Sequence, residues 1–393
     1  MTANKYKYLT IKITLFFILI LTISSSPFIF LYLPFANSEF RGVLGVICIL
    51  LLNLYNTKFK LLDIFFISLA IFFIALEIYF GNKINNILSY YALIIIFILF
   101  FRALKKHKIY RYIFRNMWIS ISYYISISAI LLFFIDQFTS INTDILNFYS
   151  NLDLGSTALR YSIFGVTETK YIGSFQLTRV YGYFAEPQYA GFYFFINLIL
   201  ANYIPKFKNF RLWVKLNLLA GILTLSTTFF VLIILYYFLY LAKLQTRIIL
   251  FLIMIIFLFI IDNNDTVSSS FKSLTSFSDR NNRLAIAFDV LDKASLENFI
   301  FGHGVGYEDN FKYGFSAGFL LVWIERGFIG LIFVITLLAY TIRDNYRIYF
   351  FLFLYLMAAP FYVNYLFWNS CLILWLGSEL ANNKLHLKRI TNV

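Results

Sequence analysis

The sequence predicts an all-α polytopic membrane protein of about twelve transmembrane helices, and three observations lead there. Of the 393 residues, 61% are hydrophobic and 13% charged, whereas a water-soluble globule carries roughly 25% charged residues. Mean hydropathy is +0.77. Apolar runs close to the ~20 residues that cross hydrocarbon as a helix recur along nearly the whole chain, without the in-and-out alternation of a membrane β-barrel.

Taken in order, the runs fall near residues 11–33, 42–56, 61–80, 88–104, 116–135 and 187–203, then 212–226, 227–242, 247–262, 316–341, 347–361 and 363–381. The first follows Lys5, Lys7 and Lys12 as a signal peptide would, but its apolar stretch resumes past Pro27 to Phe35, so a retained helix is expected. Hydropathy leaves 212–242 and 347–381 nearly continuous; charge divides them. With the N-terminus inside, segments 1–12, 56–60, 102–115, 204–215, 243–247, 343–347 and 384–393 hold 22 of the 33 Lys and Arg, against three acids in or beside them: Asp63, Asp344 and Glu379. The inside then nets +19 and the remainder −5, a strong positive-inside bias that requires outside turns near 226 and 362. The chain reads as a single integral membrane domain, 1–393, with both termini cytoplasmic.

The same reading excludes nucleic acid as a partner. The basic excess, KKHKIYR at 105–111 included, sits in short juxtamembrane segments that meet anionic lipid, and no basic face belongs to a soluble module. Cys48 and Cys371 both lie in apolar runs, so the polar loops have no disulfide framework. No repeat relates the two halves, which counts against repeat-built transporters. Glu77, near the outer end of its span, can snorkel to the interface.

Two outside segments of about fifty residues, 136–186 and 262–315, stand apart from the otherwise short connections. Both mix Phe, Tyr, Leu and Ile with charge, so each can pack a small helix against the membrane surface; RNNRLAIAFDVL at 280–291 reads as one. They contribute most of the polar chemistry.

In the first, RVYGYFAEPQYAGFYFF (179–195) brings Arg179 and Glu186 to the outer interface. Pro187 suits a first helical turn, so the next span starts there with Glu186 at its cap. Gly182 and Gly191 allow close backbone approach, the first in the loop and the second against a neighbouring helix. On residue types alone, Arg179 paired to a capping Glu186 is an ordinary interfacial arrangement. Arg160, Glu168 and Lys170 enrich the loop's polar surface without a spacing that argues a role.

In the second, Arg280 and Arg283 lie three apart and can share a helix face; guanidinium groups suit bidentate phosphate recognition. GHGVG follows, with Gly302, Gly304 and Gly306 bringing backbone N–H groups near whatever the loop binds, and with His303, the one histidine outside the cytoplasmic face. No Gly-Lys-Ser/Thr follows, so this is not a Walker loop. Asp262 and Asp265 lack the glycine and distal glutamate of an EF-hand and mark a helix exit to water. His107 and His386 lie in basic cytoplasmic segments and are expected to be solvated.

Together these features resemble the O-antigen polymerase and ligase superfamily, of Wzy type. The resemblance rests on R-x-x-G-x-F-x-E-P at 179–187, the arginine-led helix, FGHGVG, and GFLLVWIERGFIGLIFVITLL at 318–338, similar to the family's leucine-rich span with E-x-G-x-x-G, here Glu325, Gly327 and Gly330. It covers roughly 175–340. Ligases carry a His-Asn pair before that last span, whereas this chain reads FSAGF at 315–319, which favours a repeat-unit polymerase over an O-antigen ligase; the other alternative, a lipid-linked oligosaccharide flippase, should show two similar halves, which the chain lacks. The resemblance implies a C-type, inverting, metal-independent glycosyltransferase on the outer face of a bacterial cytoplasmic membrane, working in O-antigen or capsule synthesis. It would need no cofactor and would move a growing glycan from undecaprenyl diphosphate to the nonreducing end of a lipid-linked repeat unit, with a chain-length regulator as a further partner. Arg179, Arg280 and Arg283 would then clamp the diphosphate, and Glu186 is the first choice of base with His303 the second.

Overall fold

The computed structural model describes residues 60–79, 84–138, 157–162, 165–172, 175–184, 187–204, 206–237, 277–304, 307, 318–342 and 370–377. The runs expected at 11–33, 42–56, 247–262 and 347–361 lie outside the described residues, as does most of that at 363–381.

Within them, the apolar runs are helices: α1 Leu61–Tyr79, α2 Ile84–Lys106, α3 Lys108–Phe138, α4 Pro187–Leu200, α5 Phe210–Leu223 and α6 Thr227–Tyr236. Then come α7 Phe277–Asp292, α8 Leu296–Phe301 and α9 Gly318–Ile342, with 370–377 also helical. Leu61–Tyr79, Lys108–Phe138 and Gly318–Thr341 are long and apolar enough to cross a membrane. The stretch from 212 divides where charge requires it, between Leu223 and Thr227. In that turn Thr224 Oγ1 donates to Gly221 O and accepts from Ser226 N, satisfying groups that helix ends expose.

The first long loop corrects the all-α expectation. Its described part is a three-stranded antiparallel sheet in the order β1 Thr157–Ser162, β2 Gly165–Ile172, β3 Phe175–Gly182, where a small helix was expected. Val, Thr, Tyr, Ile and Phe dominate these strands, and such side chains fit a half-covered pleated surface. Ile172 pairs with Phe175, leaving Gly173 and Ser174 to connect β2 to β3, a two-residue link of the kind that hairpins favour. The sheet rests on α3 and α4. The end of α3 holds it: Thr167 Oγ1 donates to the buried Asp136 carboxylate, and Thr178 N–H to Gln137 Oε1 at 3.0 Å.

Two polar devices bind the helices beneath. Between α3, α4 and α5, Trp118 Nε1 donates to Asn197 Oδ1 (2.7 Å), Asn197 Nδ2 to Asn217 Oδ1 (2.8 Å), Asn217 Nδ2 to Trp213 O (2.9 Å) and Trp213 Nε1 to Ser122 Oγ (2.6 Å). All five residues are buried among aromatic rings, so each polar group finds its partner within the protein. Gly191 of α4 meets the Ser226 side chain so closely that an added Cβ would lie 2.9 Å away, which is the close approach expected of it.

The second device joins α1, α2 and α9 at two levels. At one, Arg102 Nε pairs with Asp63 Oδ2 (3.2 Å) and Tyr340 OH donates to Asp63 Oδ1 (3.2 Å). At the other, Arg326 pairs with Glu77 while Tyr91 OH donates to Glu77 Oε1 (3.1 Å). Asp63 and Glu77 are fourteen residues apart, as are Arg326 and Tyr340, so the levels are about 21 Å apart along antiparallel helices. Phe66, Phe73 and Phe333 fill the space between. Glu77 is therefore not snorkelling: it is 4% exposed, turned inward to the guanidinium of a second helix.

Candidate functional site

The sheet delivers Arg179 to a defined place. β2 and β3 pair Glu168 opposite Arg179, and Tyr181, two residues on, shares their face. Glu168 Oε2 accepts from Arg179 Nη1 at 2.8 Å and from Tyr181 OH at 2.7 Å. Arg179 Nη2 reaches Leu225 O in the α5–α6 turn at 3.5 Å, and its buried Nε has no hydrogen-bond partner among the described residues. Leu225 has φ +47, a left-handed conformation unusual for a branched side chain.

The pairing of Arg179 differs from the expected one. Its acid is Glu168, which sequence reasoning assigned to unspecialised loop surface; Glu186 lies outside the described residues. The hairpin could have revealed it. Centring the turn on Gly173 and Ser174 sets Glu168 against Arg179 by counting alone. Gly182, at the end of β3, has φ +58, and among the described residues an added Cβ would meet only Ile125 at 3.9 Å, so its backbone conformation calls for glycine more than any crowding by them. Close approach belongs instead to Gly165, where a Cβ would fall 2.4 Å from Gly182 O. As expected, α4 begins at Pro187, five residues after the sheet ends.

The second group stands on α9. Arg280 and Arg283 both lie on α7, the helix foreseen at 280–291, whose Ala287 is buried with Leu320, Leu321 and Ile324 of α9. The Arg283 Nε is buried and has no hydrogen-bond partner among the described residues. After α8 come Gly302, His303 and Gly304, with φ +87 at the first glycine and +94 at the last. Gly306 lies outside the described residues.

These glycines do something other than present amides to a ligand. Gly327 (φ +69) breaks α9, which frees the carbonyls of Ile324 and Glu325 from their usual partners a turn later. His303 N–H donates to Ile324 O (2.8 Å), Gly304 N–H to Glu325 O (2.9 Å), and Gly302 N–H closes α8 on Asn298 O (2.8 Å). The His303 and Gly304 N–H groups are therefore spent on the broken span, and that of Gly302 on α8. Contact is so close that a Cβ on Gly302 would fall 2.3 Å from Glu325 O, and one on Gly327 2.0 Å from Ile300 O.

This docking orients His303. Its ring stacks on Tyr307 (4.3 Å between centroids), and burial lowers its pKa below the ordinary value near 6.5, favouring the neutral imidazole. Its Nε2 is buried without a hydrogen-bond partner among the described residues. One residue past Glu325, Arg326 enters the pair with Glu77, and its guanidinium lies over the Tyr91 ring at 5.0 Å. Neither member was singled out for this role from sequence, because their separation of 249 residues leaves no local pattern.

Arg179 thus belongs to a sheet carried by α3 and α4, while Arg283 and His303 belong to a unit carried by α9. Among the described residues no hydrogen bond or ion pair links Arg283 or His303 to the Arg179 cluster, and no three His, Cys, Asp or Glu side chains gather as a metal site requires. Comparison with protein-family models finds no match, and neither does comparison with curated proteins or with solved structures.

Proposed function

We propose that this protein is a membrane glycosyltransferase of the repeat-unit polymerase type. The observation that carries the reading is Arg179. It is a mostly buried guanidinium fixed by Glu168 just ahead of the helix beginning at Pro187, within the R-x-x-G-x-F-x-E-P segment, and its Nε has no hydrogen-bond partner among the described residues. A fixed cation stabilises charge that develops on a leaving group without reorganising during reaction. In the proposed step an acceptor sugar hydroxyl attacks the anomeric carbon of the donor, and the bond from that carbon to the diphosphate oxygen breaks. The electron pair leaves with undecaprenyl diphosphate, the hydroxyl proton passes to a base, and the anomeric configuration inverts.

Arg179, Arg280 and Arg283 form the diphosphate clamp in this reading, with the two loops converging over the helix that begins at Pro187, on the outer face of the cytoplasmic membrane. Glu186 is the first choice of base. His303 is the second, and its neutral imidazole suits that role. A diphosphate leaves without a general acid. The test is a purified-protein assay with an authentic lipid-linked repeat unit as sole substrate, read as a ladder of chain lengths. A wild-type ladder lost in Arg179→Ala and Arg280→Ala supports the reading; no ladder from wild type refutes it. Glu186→Gln that keeps turnover moves the base to His303.

A flippase for the same lipid-linked oligosaccharide is the second reading, favoured by one observation. Arg326 is a buried cation inside a helix long enough to span a membrane, as a translocation path would need. Its charge is already matched by Glu77. Transfer of labelled lipid-linked oligosaccharide across proteoliposomes without chain growth would select this reading.

A further inference from the structure

We infer that Glu168 is a positioning residue for anion binding. It holds Arg179 by one nitrogen, so that the Nε side of the guanidinium fork is kept for a diphosphate oxygen; the inference rests on the polymerase reading for the identity of that diphosphate. Guanidinium offers five N–H donors in a rigid plane, and its Nε and adjacent Nη groups form the edge that matches two oxygens of a phosphate. Here Nη1 is committed to Glu168 at 2.8 Å. Among the described residues, Nη2 has only the Leu225 carbonyl at 3.5 Å, the outer limit of a hydrogen bond, and Nε has no partner. Buried donors are rarely left so.

The carboxylate is itself immobilised. Glu168 is 7% exposed, is set on the central strand opposite Arg179, and shares its Oε2 with the Tyr181 hydroxyl at 2.7 Å. Rotation of the guanidinium about its own plane would break the 2.8 Å contact, so one donor fixes the direction of the others. The carboxylate also neutralises the cation while the site is empty, and it repels an arriving diphosphate. Orientation and repulsion therefore act in opposite directions on substrate, and substitutions separate them. Gln keeps an acceptor oxygen and removes the charge; Ala removes both.

The experiment measures kcat and KM for chain extension per folded protein in Glu168→Gln and Glu168→Ala, alongside thermal stability, with binding of inorganic pyrophosphate measured on the same preparations. Positioning predicts that Ala lowers kcat by about a hundredfold, as misplacement of a binding group by about an ångström does. Gln should restore at least about tenfold of that and lower KM, because repulsion has gone. Wild-type kcat and KM in both variants would overturn the inference while leaving the polymerase reading intact, as would losses that follow thermal stability without rescue by Gln. If wild type extends no chain, pyrophosphate decides. Binding weakened by Arg179→Ala and by Glu168→Ala keeps the positioning role and rejects the polymerase; binding indifferent to Glu168→Ala rejects the positioning role.

Discussion

Replacing Glu77 with Leu isolates the buried ion pair between α1 and α9. The substitution removes the carboxylate that faces Arg326, and Arg326 is 2% exposed, so a buried cation loses the carboxylate with which it pairs. Breaking a buried pair by removing one partner costs about 3–5 kcal/mol, and every ~1.4 kcal/mol is a factor of ten in the equilibrium. The folded fraction relative to unfolded should thus fall by at least about a hundredfold. Tyr91 OH also loses the acceptor that it reaches at 3.1 Å. Arg326→Met should cost less, because the Tyr91 hydroxyl still donates to the carboxylate that remains. The double substitution replaces the pair by apolar side chains and should recover most of the loss. Equilibrium unfolding in a constant detergent mixture, followed by intrinsic fluorescence, measures all four proteins as a double-mutant cycle. Single effects below about 1 kcal/mol, or a double mutant equal to the sum of the singles, would refute a buried coupled pair.

Three further outcomes follow from the geometry. Gly327→Ala must force a Cβ into the 2.0 Å gap before Ile300 O at φ +69, so it should destabilise by at least ~2 kcal/mol and expose 296–304 to proteolysis; unchanged protection would mean that α8 does not dock there. His303 has a lowered pKa, so its contribution to stability is complete above about pH 6.5 and is lost as pH falls through the lower folded value; His303→Gln should flatten that acid limb, and an unchanged limb assigns it elsewhere. If His303 is also the base, the acid limb of kcat/KM has its midpoint below 6.5. In a background lacking Cys48 and Cys371, cysteines at 160 and 293 should react with an impermeant reagent from outside and one at 106 should not; labelling at 106 would reverse the orientation.

Helix placement was readable because hydropathy and helical length are properties of a continuous segment. Pro187 marks the start of α4, and the arginine-led segment is helical, both by local rules of chain geometry. Even the division near 226 followed from charge balance. The sheet was missed although Gly173 and Ser174 between β-rich runs mark a hairpin, because Phe, Tyr and Ile in a polar loop suit a surface helix equally well.

Composition and order along the chain were enough to foresee helices apolar enough to cross a membrane and to single out two polar loops, since the cost of placing a residue in hydrocarbon depends on that residue and its near neighbours. Partnership is a different quantity. Glu168 became the counter-ion of Arg179 through strand register, the His303 and Gly304 amides were taken up by carbonyls that Gly327 released, and Glu77 met Arg326 across 249 residues. Only the tertiary structure decided these, because a buried charge or amide is satisfied by whichever group packing brings within about 3 Å, and distance along the sequence does not enter that energy.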